Sequence, residues 1–187
     1  IENKFNGATL ASNDLVVFAP SAATGVGVFN AATTRFTYTE ISTTVSTASK
    51  FSGAATASNG KVVLAPHDAD GVGVYHPATS AFFFVSISAT IDTAGKFSGA
   101  ATASGDLVFF APWHSNAIGT FDPEKMLFGL FTAPIGHRNR GFASFGGTFS
   151  GATAANGQII FSPHDSGEIG VLSLANESSA EAPDLIG

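Results

Sequence analysis

Apolar residues in this chain come in short bursts, separated at regular intervals by Gly, Pro, Asn and Asp. In the stretch from Lys50 onward the bursts are four. The first, 53–58, is small and Ala/Gly-rich. The second, 61–65, is β-branched. The third, 71–75, alternates Gly with Val and ends on Tyr75. The fourth, 81–87, is a Phe/Val run. Their lengths, β-branching and aromatic content predict strands. The links between them carry turn chemistry. Asn59-Gly60 is a two-residue hairpin signal, because both residues tolerate positive φ. Asn13-Asp14, Gly105-Asp106 and Asn156-Gly157 stand at or beside the same place. Pro20, Pro66, Pro112 and Pro163 close the second burst, where a missing N–H costs least. No segment has helical periodicity with caps, so very little helix is expected.

The pattern repeats. Lys4-Phe5-Asn6-Gly7-Ala8 returns as Lys50-Phe51-Ser52-Gly53-Ala54, as Lys96-Phe97-Ser98-Gly99-Ala100 and as Thr148-Phe149-Ser150-Gly151-Ala152, at steps of 46, 46 and 52 residues. Tandem units of this length with four strands each predict an all-β fold. It is a β-propeller of four four-stranded blades, or a four-blade portion of a larger ring. The blades run over 4–49, 50–95, 96–147 and 148–187 of a single domain. A β-trefoil wants three copies and a β-solenoid a shorter period. The innermost strand of each blade suits Gly and Ala, and outer strands have room for Phe. The last copy lacks the Phe run, so its fourth strand is expected to be weak or absent. Unpaired edges there invite self-association. The third copy carries about six extra residues within 135–147, a Gly-rich loop holding His137, Arg138 and Arg140.

The stretch KFSGAATASNGKVVLAPHDADGVGVYHP resembles poorly characterised kelch- and NHL-like propeller repeats of algae and other protists. The resemblance covers residues 4 to about 174 and implies a propeller. It brings no catalytic residues with it. The Asp that the pattern expects before the Pro of the third turn is present only as Asp122.

Composition narrows the function. The 187 residues include 8 Lys or Arg against 14 Asp or Glu, a net charge of -6. Nucleic acid and anionic membrane surfaces, which select clustered basic side chains, are not expected partners. There is no Cys, which removes disulfides and thiolate chemistry. No apolar run approaches the length of a spanning helix. A start at Ile1 suggests a processed or fragmentary chain.

Columns that match in every copy read as folding residues, and columns that differ are free to form a site. The position after the strand-two Pro reads Ser21, His67, Trp113 and His164, and the next reads Ala22, Asp68, His114 and Asp165. Thr24, Asp70, Asn116 and Gly167, beside Glu168, follow. A metal site would draw on His67, His114, His164 and Asp165, since imidazole with carboxylate suits divalent metals. A ligand site would use Trp113, His114, Asp68, Asp70, Arg138 and Arg140, with Trp113 stacking on a sugar or another flat ring and the arginines clamping an anion. The plain alternative is a set of polar turns. Lys4, Lys50 and Lys96 read either as a cationic rim or as snorkelling side chains over strand edges. The Phe load, including Phe82, Phe83, Phe84, Phe109 and Phe110, reads as packing between blades. Asn176-Glu177-Ser178 is a formal glycosylation acceptor. Two functions remain open. One is a non-enzymatic propeller that binds a protein or glycan, with no cofactor. The other is a metal-assisted lyase or hydrolase with a His/Asp site at the axis.

Overall fold

The computed structural model describes residues 3–103, 105–131 and 148–174. Arg138, Arg140, the acceptor at Asn176 and the end of the last copy, where the fourth strand is expected to be weak or absent, lie outside them. The first blade contains β1 (Phe5–Leu10), β2 (Leu15–Pro20), β3 (Gly25–Asn30) and β4 (Arg35–Glu40). The second contains β5 (Phe51–Thr56), β6 (Val62–Pro66), β7 (Gly71–His76) and β8 (Ala81–Ser86). The third contains β9 (Phe97–Thr102), β10 (Val108–Pro112), β11 (Ile118–Asp122) and β12 (Leu127–Phe131), and the fourth β13 (Phe149–Ala155), β14 (Gln158–Pro163) and β15 (Gly170–Ser173). Each sheet is an antiparallel meander in chain order, and no helix occurs among the described residues. The tight turns after each first strand use the residues expected of them, except that Asn59 does not adopt a positive φ. Asn13, Asp14, Gly60, Gly105, Asp106, Asn156 and Gly157 all have positive φ.

The first strands form the inner ring. Strand β1 packs on β5, β5 on β9 and β9 on β13, while no contact of similar extent joins β13 to β1. The four blades are therefore an open sector. Glycine makes the inner ring possible. A Cβ on Gly7 would stand 2.7 Å from the Gly53 Cα, one on Gly53 2.5 Å from the Gly99 Cα, and one on Gly99 2.6 Å from the Gly151 Cα. Each strand thus lays its backbone on the next at the repeated Gly, where a bulge interrupts the pairing with the second strand. Polar side chains run beside this line. Asn6 Nδ2 donates to Ser52 Oγ at 3.0 Å, Ser52 and Ser98 hydroxyls meet at 3.1 Å, and the Ser98 hydroxyl donates to the Ser150 carbonyl at 3.4 Å.

The core lies between blades, with each aromatic face packed on the aliphatic face of the blade before it. Phe51, Val62, Leu64 and Tyr75 cover Val17, Ala19, Val26 and Val28. Phe97, Val108, Phe110 and Phe121 cover Val63, Ala65, Val72 and Val74. Phe149, Ile159, Phe161 and Leu172 cover Phe109, Ala111 and Ile118. The third-strand glycines leave room for the first-strand rings: a Cβ on Gly73 would meet the Phe51 ring at 2.8 Å. Burial of this apolar surface, at roughly 25 cal/mol per Å², is the main driving force. Phe82 and Phe84 join the core, but Phe83 is 52% exposed. Its strand is outermost, and alternate residues of a strand face opposite ways.

Two lysines depart from both sequence expectations. Lys50 and Lys96 are 2% and 0% exposed, so they form neither a cationic rim nor a snorkelling cover; only Lys4 stays exposed. Each begins its blade at the junction with the blade before, and packing closes over it.

Candidate functional site

The variable column sits where one blade hands over to the next. The His67 N–H donates to the Lys50 carbonyl at 2.9 Å, the Trp113 N–H to the Lys96 carbonyl at 3.0 Å and the His164 N–H to the Thr148 carbonyl at 3.2 Å. The carbonyls of Ser21, His67 and Trp113 in turn accept from the N–H groups of Lys50, Lys96 and Thr148 at 3.3, 2.9 and 3.1 Å. This backbone ladder fixes the column while leaving its side chains free to vary.

Those side chains converge on Trp113. Its ring centroid lies 4.5 Å from that of His164, 6.1 Å from His114 and 6.4 Å from His67, with tilted planes. Separations of this size are those of interacting aromatic pairs. One carboxylate orients its imidazole by a hydrogen bond, while the buried His67 Nδ1 has a carboxylate near it but makes no hydrogen bond. Asp165 Oδ1 stands 2.9 Å from His164 Nδ1, and Asp68 Oδ1 3.2 Å from His67 Nδ1. Asp68 Oδ1 is also held by the Gly95 N–H at 2.7 Å. His114 turns away from the group: its Nδ1 stands 3.2 Å from the Ala94 carbonyl, which can only accept, so that nitrogen carries the proton. Among the described residues no three His, Asp or Glu side chains come together in a cluster suited to a metal ion. In blade order an indole stands between the imidazoles of His67 and His164.

Near the Asp68–Asp70 turn lies a group that the residue pattern did not place there. Lys96 Nζ is buried without a hydrogen-bond partner. Burial holds its pKa below the ordinary lysine value, while Asp70, Asp68 and Asp92 act to raise it. Lys50 is lowered by burial in the same way, with Glu40 opposing. But its ammonium donates to the Ser21 and Ala23 carbonyls, each at 2.8 Å. The only hint in the sequence was the recurrence of Lys at the start of three repeats.

The two lysines therefore differ in what they contribute. Lys50→Met is expected to cost about 1–3 kcal/mol, because it strips the ammonium from two buried carbonyls. Lys96→Met is expected to unfold at the same denaturant concentration as the wild type or higher, since an unpaired buried ammonium is itself a cost. Equilibrium urea unfolding of both variants checks this.

Four successive antiparallel sheets fanned about a common inner ring define a β-propeller protein, here as an open four-blade sector. Solved propellers share the arrangement. Virginiamycin B lyase from Staphylococcus aureus is similar over 91% of this chain and 55% of its own, with 18% identity and a TM-score of 0.66. A streptogramin B lyase is similar over 95% of this chain and 57% of its own, with 12% identity and a TM-score of 0.67. The WD40 repeats of RRP9 are similar over 91% and 48%, with 9% identity and a TM-score of 0.68. The chain spans about half the length of these proteins, and at such identities the likeness is one of fold. No protein-family model matches the chain, and no curated protein matches it. Among the described residues no helix is long and apolar enough to cross a membrane.

Proposed function

We propose that this chain is a non-enzymatic binding propeller whose loop face takes a protein or glycan against Trp113. The observation that carries the reading is the aromatic group at the blade junctions, Trp113 with His164 at 4.5 Å and with His67 and His114 further out. Indole and imidazole rings offer stacking faces to a sugar or to an aromatic or cationic side chain. Asp68, Asp70 and Asp165 on the same turns add hydrogen-bond acceptors. WD40 repeats among the structural neighbours support a scaffold or interaction role. The kelch- and NHL-like character of the KFSGA repeat belongs to the same proposal, as does self-association through the outer blades.

Trp113 is the one tryptophan of the chain, so its fluorescence reports on the site alone. Titration with a glycan panel or candidate proteins is expected to change its emission without any turnover. Trp113→Ala is expected to weaken the same binding about tenfold, worth about 1.4 kcal/mol. Binding that leaves both the emission and the variant's affinity unchanged would overturn the reading.

A second reading, a metal-assisted lyase or hydrolase using His67, His114, His164 and Asp165, is favoured by one observation: the structural neighbours include lyases. Stoichiometric metal in natively purified protein that is lost in His67→Ala would support it, and metal-free native protein would remove it.

A further inference from the structure

We infer that a cavity between the first and second blades is a further ligand site, built for a small hydroxyl-bearing carboxylate of the uronic acid class. This site is separate from the one at Trp113. It lies where β2 begins, at the opposite end of the strands from the column that follows the strand-two Pro.

The cavity holds about 210 Å³ and is lined by Leu15, Val28, Arg35, Tyr75, Pro77 and Ser80. Pockets for drug-sized molecules begin at roughly 300 Å³, so this one suits a single small ring. It belongs to one internal junction. Val28 is on the face of the first blade that Tyr75 covers. Arg35 shares a face of β4 with Thr39, whose hydroxyl meets that of Tyr75 at 3.1 Å.

The next junction shows what opens the space. Leu15, Arg35 and Ser80 correspond, 46 positions on, to Lys61, Ala81 and Met126. There Lys61 Nζ donates to the Pro123 carbonyl at 2.8 Å, Met126 packs against the core and Pro123 is buried. In the first junction Leu15 offers the Pro77 carbonyl no donor, Ser80 is exposed and Pro77 is only half-buried. One scaffold is thus closed by Lys61 and Met126 and left open by Leu15 and Ser80. Where the space opens, Arg35 brings a charge that Ala81 lacks.

The groups around the cavity select its ligand. Arg35 is exposed and makes no hydrogen bond or ion pair among the described residues. A free guanidinium takes a carboxylate through two parallel N–H bonds. Asn30 also lines the cavity, and its Oδ1 accepts from the Thr33 N–H at 2.9 Å, which leaves the amide NH₂ to donate outward. The Ser80 hydroxyl can donate or accept, and the Pro77 carbonyl only accepts. Leu15, Val28 and the Pro77 ring supply apolar surface. A sugar acid answers each of these: its carboxylate meets Arg35, its hydroxyls meet Asn30, Ser80 and the Pro77 carbonyl, and its C–H face covers the apolar side chains. Inorganic phosphate answers Arg35 but has no apolar face for Leu15 and Val28.

Titration of the full chain with sodium glucuronate and galacturonate at constant ionic strength, followed by amide NMR, tests this. Saturable shifts are expected at residues 30–37 and 78–80. Glucose, which lacks the carboxylate, and inorganic phosphate, which lacks the ring, are each expected to bind about tenfold more weakly or less. Arg35→Ala and Ser80→Met copy the residues of the next junction, so both are expected to unfold at the wild-type urea concentration. Each is expected to weaken uronate binding about tenfold, the first by removing the cation and the second by filling the space. Shifts that do not saturate with either uronate, or that fall elsewhere, would overturn the inference. So would phosphate or glucose binding as tightly, or both variants binding as the wild type does. Trp113→Ala is expected to bind the uronate unchanged, so this site and the one at Trp113 are read separately.

Discussion

Gly53→Ala is expected to destabilise the protein by about 4 kcal/mol, the sum of two independent costs. The residue has a φ of +108°, a backbone conformation that side-chain-bearing residues rarely adopt. The added methyl carbon would also stand 2.5 Å from the Gly99 Cα and 2.8 Å from its nitrogen. Both are backbone atoms of the neighbouring inner strand, so relief requires two blades to move apart rather than a side chain to rotate. That movement would loosen the packing of Phe97 and Phe110 on Val63, Val72 and Val74. Thermal and urea unfolding should show a large drop in midpoint with the loss spread over both blades. Gly151→Ala makes the same chemical change where, among the described residues, only a serine side chain lies nearby, and should leave the midpoint where it is. If the two variants were equally stable, the inner ring would not be packed backbone on backbone.

Phe97→Ala is the other large effect expected, at about 3–5 kcal/mol for removing a buried aromatic ring. Phe97 is fully buried. Its ring lies 5.6 Å from that of Phe110 and 6.1 Å from that of Phe128, and it fills the space left by Gly119, where a Cβ would meet it at 2.8 Å. The cavity would lie among Val108, Phe110 and Phe121, all fully buried on strands, which limits collapse. Phe5→Ala removes the same ring from the first blade, where it is only partly buried. Its cost in urea unfolding should be clearly smaller. Equal losses at the two positions would mean that the first blade's aromatic face is covered in solution.

Much of the architecture was legible in the residues themselves. The spacing of Phe5, Phe51, Phe97 and Phe149 counted the blades, and Asn13-Asp14, Gly60 and Asn156-Gly157 located turns whose φ angles are positive, as expected. The site was legible only as a column. That Ser21, His67, Trp113 and His164 share a position follows from the repeat, but the approach of Trp113 to His164 depends on how far one blade is rotated from the next. The Lys column shows the limit most clearly. One residue type at one register is exposed at Lys4, buried and bonded at Lys50, and buried without a partner at Lys96.

The sequence by itself determined the strands, the turns, the number of units and the alternation of apolar faces. These are local properties, set by backbone sterics and by a side-chain period of two within a few residues of chain. Only the tertiary structure decided which face each blade covers, where the lysine ammonium groups end, which rings meet Trp113 and that the sector stays open between β13 and β1. Those depend on contacts between residues some forty-six positions apart. The angle at which one sheet settles on the next governs them, and it emerges from the packing of whole faces rather than from any single stretch of sequence.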